Sequence, residues 1–334
     1  MDVFKNKNFE FVDLNKLQLD IRDIINEKIR TNNIQFEYVS CLCGNNDYDL
    51  ICSFDRHGLD QKTVICRHCG LIRSNPRMIK EEYRSFFESD TYRLIYKDQN
   101  LEDYYRGKFD EPDKYFNDGK NILKRINKFK QVDESVNVLE FGCGAGYNLM
   151  PFLKEGANCT GIDYSKVGVE IGREYGLKIL KGGLEKIDGK YDIIMMCHVL
   201  EHTLDPIETL RQIKSHLTSD GLLYISVLNM EILNLGNFLN VKTYYFVPEN
   251  FKYFTECVGL KNIDMGVSQD DHMYSILEVQ NIAPDLNDLL LSKEKMFRVL
   301  KLTRRKEIVK WLLNLLGLSF IIRLKRNILS GSQI

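Results

Sequence analysis

The stretch Val138-Leu139-Glu140-Phe141-Gly142-Cys143-Gly144-Ala145-Gly146-Tyr147 runs from an apolar strand into a turn holding three glycines, and a helix-like NLMPFLKEG follows it. Glycine lets the backbone take positive φ and come close to a ligand, while the start of the next helix offers unpaired N–H groups. The loop therefore suits a nucleotide-like ligand, and its spacing separates two kinds. A dinucleotide loop needs G-x-G-x-x-G, whose third glycine lets helix and strand pack tightly around a pyrophosphate. Here the glycines fall at G-x-G-x-G, Tyr147 stands where that third glycine would be, and Glu140 puts a carboxylate beside the ligand.

A carboxylate repels a pyrophosphate and attracts a cation. S-adenosylmethionine carries a sulfonium and an ammonium, so these charges favour it and argue against a nucleotide-dependent oxidoreductase. The next strand ends in Gly161-Ile-Asp163-Tyr164-Ser165, where an acidic side chain can accept hydrogen bonds from both ribose hydroxyls. Outward from the loop, the buried-looking runs VNVLEF, ANCTGID, YDIIMMC and GLLYISVL alternate with helix-like YSKVGVEIGREYG and PIETLRQIKSHL. That alternation predicts a parallel sheet wound with crossover helices. KNIDMGV and MYSILEVQ, separated by SQDDH, predict an antiparallel hairpin at the sheet edge.

These residues resemble the class I S-adenosylmethionine-dependent methyltransferases, whose first motif is acidic-x-G-x-G-x-G. The resemblance covers about residues 136–280 and implies a Rossmann-like α/β fold with a seven-stranded sheet whose last strand is antiparallel. By that likeness Glu140, Gly142, Gly144 and Gly146 cradle the aminoacid part of the cofactor and Asp163 the ribose, with Cys143 and Tyr164 counted among the cofactor-binding residues. Gly183 and Leu184 lie in the loop that touches adenine. The family often has Asp where Gly183 stands, which leaves that contact to the Leu184 backbone.

After YDIIMMC comes His198-Val-Leu-Glu201-His202. As H-x-x-E-H it matches a zinc-peptidase pattern, which needs both histidines on one helical face. The preceding apolar run instead places His198 at a strand end. In the methyltransferases a similar string borders the cofactor and acceptor cavity, which implies that Cys197 and His198 line the cofactor while Glu201 and His202 start a helix at the mouth. His202 is a candidate base for an acceptor hydroxyl, because imidazole titrates near neutrality. The blander reading makes Glu201 a helix-end charge and His202 a structural hydrogen-bonding residue.

Cys41-Leu-Cys43-Gly44 and Cys66-Arg-His-Cys69-Gly70 read as two knuckles of a structural zinc site, with Cys52 or His57 as alternative ligands because the first pair has one spacer residue. The wider DRHGLDQKTVICRHCGLIRSNPR resembles the N-terminal zinc-binding segment of methyltransferases of sugar and surface-polysaccharide biosynthesis, including sugar C-methyltransferases. The likeness implies a sugar, nucleotide sugar or glycan acceptor. It also implies that Tyr83, Tyr92 and Tyr96 belong to a cap over the site. The sugar C-methyltransferases carry Glu-His before Phe-x-Tyr-Phe, whereas this chain has Glu249-Asn250-Phe251-Lys-Tyr253-Phe254. Asn cannot remove a carbon-bound proton, which favours O-methylation and leaves Glu249 and Tyr253 as candidate acceptor contacts.

The expected organisation is a helical segment 1–35, a zinc-binding unit 36–80, a helical cover 81–130, the S-adenosylmethionine-binding domain 131–282 and a basic amphipathic tail 283–334. With 46 basic and 47 acidic residues the chain has no overall positive field to gather nucleic acid. The first residues lack a secretion signal, and the cysteines fit a reducing compartment, so a cytoplasmic protein is expected. Residues 291–326 combine basic residues with the run WLLNLLGLSFII, too short to span a bilayer, and admit peripheral contact with the inner face of a membrane. A non-catalytic zinc-binding adaptor in a membrane-associated glycan assembly is the rival reading.

Overall fold

A computed structural model describes residues 12–97, 101–231, 233, 235–268 and 272–315. Helix α1 (Lys16–Arg30) opens on a reciprocal cap: the Asn15 side chain accepts the Gln18 N–H, and the Gln18 side chain accepts the Asn15 N–H. Five short strands follow, β1 (Phe36–Glu37), β2 (Tyr48–Phe54), β3 (Asp60–Cys66), β4 (Ile72–Ser74) and β5 (Arg77–Met78). β2, β3 and β4 pair antiparallel, and β1 pairs with β5. The aromatic, charged stretch forms the helices α2 (Lys80–Glu88), α3 (Asp90–Lys97), α4 (Leu101–Asp110), α5 (Pro112–Tyr115) and α6 (Asn117–Ile126).

The central sheet is built from β6 (Asn137–Phe141), β7 (Asn158–Asp163), β8 (Lys178–Lys181), β9 (Tyr191–Cys197) and β10 (Leu217–Leu228), with α7 (Met150–Lys154), α8 (Lys166–Glu174) and α9 (Pro206–Ser215) as crossovers. After β11 (Tyr244–Tyr245) and α10 (Pro248–Glu256), the chain adds β12 (Leu260–Val267) and β13 (His272–Val279). The strand order is β12-β13-β10-β9-β6-β7-β8, and β13 runs antiparallel to both neighbours. This is the Rossmann-like seven-stranded methyltransferase sheet that the sequence predicts, edge hairpin included.

Both faces of the sheet are covered, so its strands read as continuous apolar runs. Ile193 and Met195 point to the face packed by Tyr105, Phe109, Ile122 and Val169. Ile194 and Met196 point to the other face, with Phe251, Phe254 and the cysteine knuckles. The crossing from β6 into α7 carries the glycine loop to the carboxyl end of the sheet, where ligands of such folds bind.

The expected split at residue 80 is not clean. β11, from deep within residues 131–282, pairs with β4 and completes the four-stranded N-terminal sheet. The tail is helical as far as it is described: α11 (Leu286–Leu315) buries Leu289, Ser292, Met296 and Leu300. Residues 316–334, including part of the 291–326 membrane-contact segment, lie outside the described residues. No described helix is long and apolar enough to cross a membrane.

Candidate active site

Gly142, Gly144 and Gly146 all take left-handed φ, at +75°, +58° and +80°. A Cβ on Gly142 would stand 2.3 Å from Val199 Cγ2, and one on Gly146 would stand 2.8 Å from Leu177 Cδ1. The turn is therefore reserved for glycine on grounds of both backbone and space. Loop and second strand are laced together. Gly142 and Cys143 donate to the Ile162 carbonyl at 2.8 and 3.1 Å, and the Gly144 N–H donates to Asp163 Oδ2 at 2.8 Å. Asp163 Oδ1 accepts the Ser165 N–H at 2.7 Å. Each carboxylate oxygen keeps a further lone pair, so these bonds hold Asp163 in place without exhausting it.

Glu140 is buried beneath the loop, 1% exposed, and Asn148 Nδ2 donates to its Oε1 at 2.8 Å. Its Oε2 has no partner. Burial pushes the carboxyl up to about 8, the nearby Asp163 charge adds to the rise, and the bond from Asn148 and the neighbouring Cys197 thiol oppose it. The structure thus brings Glu140, the three glycines, Asp163 and Cys197 to one place. The Cys143 side chain turns away: a Cβ on Gly161 would stand 2.6 Å from its Sγ, so the thiol packs on β7 and only its backbone belongs to the loop.

Beyond the ends of β7 and β8, Gly183 is buried, and a Cβ there would collide with the Tyr164 hydroxyl. Tyr164 is itself 43% exposed with Arg84 over its ring, while Leu184 is half-buried at the start of a 3₁₀ turn. The Gly183 N–H donates to Glu185 Oε1 at 2.9 Å, so this backbone donor is already engaged.

His198 follows β9 directly, as the apolar run predicts, with φ +56°. The helix expected at Glu201 and His202 is instead a single 3₁₀ turn, Leu200–His202. α9 starts later, capped by Asp205 accepting the Glu208 N–H at 2.9 Å, so Glu201 is no helix-end charge. Glu201 is buried, 3.5 Å from His198 Nδ1 and 3.7 Å from Lys242 Nζ, and neither of its oxygens has a hydrogen bond. Burial alone would raise its carboxyl; the His198 ring and the Lys242 ammonium outweigh burial and hold it well below the usual range. His202 Nδ1 bonds the Val241 carbonyl at 2.9 Å and its ring meets Phe87 edge-on. Burial lowers the imidazole to about 4 against the pull of Glu201.

Other expected residues go elsewhere. Glu249 pairs with Lys295 on α11, which also holds Glu231 at 2.5 Å. Tyr253 lies against Cys257 and the cysteine knuckles. Both sit on α10, which packs onto α11 and β12. Asn250, at the position where the sugar C-methyltransferases carry histidine, is 1% exposed, accepts the Val247 N–H at 3.0 Å and donates to Ser292 Oγ at 3.1 Å. Its amide is a cap and a tie to α11.

The cover contributes contacts that no local pattern announces. Tyr105 lies over Gly144 and Gly168, and Lys108 donates to the Tyr147 hydroxyl at 2.8 Å. Tyr83 donates to the backbone carbonyls of His202 and Val241, and Tyr96 to Asp55 at 2.9 Å. The Tyr92 side chain lies outside the described residues. Lys242 and Asn148 were equally unannounced, since each is recognisable only by the buried carboxylate it meets.

Cys41, Cys43, Cys66 and Cys69 place their sulfurs within 4.8 Å of one another. The Cys41–Cys69 and Cys43–Cys66 separations are 3.5 and 3.7 Å. A tetrahedral zinc with bonds of about 2.3 Å sets its sulfurs ~3.8 Å apart, so the cage fits that ion. Cys52 instead donates to the Phe54 carbonyl and His57 packs on Tyr96, which removes both alternative ligands.

Residues 111–257 match the family model described as "Methyltransferase domain". The ubiquinone biosynthesis O-methyltransferase of Vibrio parahaemolyticus is 30% identical over 119 residues, covering 33% of this chain and 47% of that protein. The tRNA U34 carboxymethyltransferase of the same organism is 27% identical over 190 residues, covering 50% and 58%. The chain spans about half the length of these curated relatives. Among solved structures, the Burkholderia thailandensis 1,6-didemethyltoxoflavin-N1-methyltransferase is similar with a TM-score of 0.46 and 15% identity, covering 63% of this chain and 96% of that one. The matched residues 111–257 hold β6 to β10 and the glycine loop, and the sheet has the strand order of a Rossmann-like methyltransferase fold.

Proposed function

We propose that this chain transfers a methyl group from S-adenosylmethionine to a small acceptor, a sugar, nucleotide sugar or glycan, and to its oxygen rather than its carbon. One observation carries the cofactor: Glu140 is buried beneath three left-handed glycines with Oε2 unpartnered. Burying an unpaired carboxylate is costly, and an ammonium at Oε2 removes that cost. In the bound state Glu140 would hold the aminoacid end, Asp163 would use its remaining lone pairs for the ribose hydroxyls, and Gly183 and Leu184 would border the adenine.

The cofactor supplies an electrophilic methyl, and the protein supplies alignment and exclusion of water. Tyr105 lies over Gly144 and covers part of the loop, whose Gly142 and Gly144 stay half-buried. His202, with Nδ1 committed to the Val241 carbonyl, keeps an uncharged Nε2 that can accept a proton from an acceptor hydroxyl, as a weaker base than an unperturbed imidazole because burial lowers it to about 4. The commitment of Asn250 to capping supports O- over C-methylation. We assign a structural zinc to Cys41, Cys43, Cys66 and Cys69.

A net charge of −1 favours a small acceptor over a polyanion. The peripheral membrane reading draws support from α11, whose outer side exposes Leu302, Val309 and Leu312 among basic residues. Calorimetry with S-adenosylmethionine and its demethylated product, followed by mass spectrometry of a nucleotide-sugar and glycan panel incubated with labelled cofactor, tests the proposal. Tight binding and a labelled sugar product are expected. Absence of binding to either compound would leave the adaptor reading in its place.

A further inference from the structure

Arg73 on β4 is among the largest side chains sealed from solvent, with 0% exposure, yet its Nε and Nη1 have no hydrogen-bond partner. Its remaining contacts are weak: Nη2 lies 3.5 Å from the Val39 carbonyl, and the guanidinium sits 5.5 Å from the centre of the Tyr48 ring. Arg77, further along the same segment, is by contrast paired with Glu37 at 3.0 Å. A guanidinium stays charged when buried, so a sealed and unpaired one requires negative charge from within the protein.

Strand register shows where that charge lies. Arg73 stands opposite Val64 on β3 and opposite Tyr244 on β11. Cys66 is two residues beyond Val64 and pairs with Tyr48. Residues two apart on a strand share a face, so Arg73, Val64, Cys66 and Tyr48 lie on the same side of the sheet. The guanidinium leans toward Tyr48, the residue directly across from Cys66, and toward Val39, two residues before Cys41. Tyr244 feels Arg73 and Cys41 together.

We infer that Arg73 is the internal counter-charge of the four-cysteine centre. Four thiolates around a divalent ion leave a net charge of −2, and Arg73 offsets half of it at a depth that no solvent cation reaches. Arg73 is thus a positioning and charge-balancing residue for the metal, without contact to the methyl-transfer site. The inference rests on the zinc assignment above, and the experiment separates the two.

Full-length protein and the variants Arg73→Met and Arg73→Lys are stripped of metal, checked by circular dichroism, and titrated with zinc against a chromophoric chelator; cobalt titration reports thiolate coordination by its charge-transfer band. Arg73→Met should bind zinc at least tenfold more weakly, and Arg73→Lys within about threefold of wild type. In the Cys43→His background, where the centre carries −1, the loss on Arg73→Met should shrink to about a third. Arg73→Gln serves as the neutral variant if the methionine form is not recovered folded. Undiminished affinity in the neutral variant, or equal losses for methionine and lysine, would overturn the counter-charge role. Failure of the wild type to bind zinc or cobalt at all would overturn the metal assignment itself.

Discussion

Glu140 offers a quantitative test of the cofactor site. Its carboxyl is pushed up to about 8 in the free protein, chiefly by burial. At pH 7 it is then about nine-tenths protonated, whereas pairing with an ammonium requires the ionised form. Binding S-adenosylmethionine or its demethylated product at pH 7 should therefore release about 0.9 proton per ligand. Affinity should rise about tenfold per pH unit between pH 6 and 7.5, where the ligand's ammonium stays charged. Calorimetry in buffers of different ionisation enthalpy reads the release directly, as the slope of apparent enthalpy. Glu140→Gln should abolish that slope and weaken binding by roughly 10- to 150-fold, the loss of a charged hydrogen bond of about 1.5–3 kcal/mol. The free protein carries the same signature in its stability. A carboxyl raised from 4.5 in the unfolded chain to about 8 contributes stability below pH 4.5 that is lost as pH rises through 8. The melting temperature of the free form should accordingly fall across that window, and ligand should restore it. Binding that is pH-independent and releases no proton, with an unimpaired glutamine variant, would refute the pairing.

Three further outcomes follow from the geometry. His202→Ala should lower turnover by about 10²–10⁴-fold with little change in cofactor affinity, and an unchanged rate in a steady-state assay would remove its role as base. Gly142→Ala should destabilise the fold by ~1–3 kcal/mol in chemical unfolding, because its Cβ meets Val199 Cγ2 at 2.3 Å and its φ is +75°; adding Val199→Ala should recover only the steric part. Asn250→Ala should cost about 1–3 kcal/mol, since it strands the Val247 N–H and Ser292 Oγ, and should leave the methyl-transfer rate of the folded protein intact.

The parts of the site that the sequence announces are those governed by neighbours along the chain. The three glycines, the acidic residue before them and Asp163 each sit at a strand end that apolar periodicity locates within a residue or two. The cysteine spacing likewise implies the knuckles, although only the folded arrangement decides for Cys43 over Cys52 and His57. His198 is placed well because a buried strand must stop before a polar residue can turn outward. What escapes the sequence is set by contacts between distant segments. Lys242 beside Glu201, Tyr105 over Gly144 and the pairing of β11 with β4 have no signature in local spacing. Glu249 and Tyr253 show the converse: a likeness of motif suggests a role, but the side chains on a helix point where its packing sends them, here toward Lys295 and the knuckles.

The pairing of Tyr244 and Tyr245 with β4 has a consequence for how such proteins can be recombined. A strand lent by one module to the hydrogen-bond ladder of another makes the two inseparable at the level of backbone chemistry. Excising residues 36–80 would bare an edge on the excised piece and leave the lender with a dangling, aromatic-rich segment prone to sticking to other chains. A chimera that exchanges the front module for that of a relative must therefore carry β11 along with it, so that the two stretches are inherited as a single block.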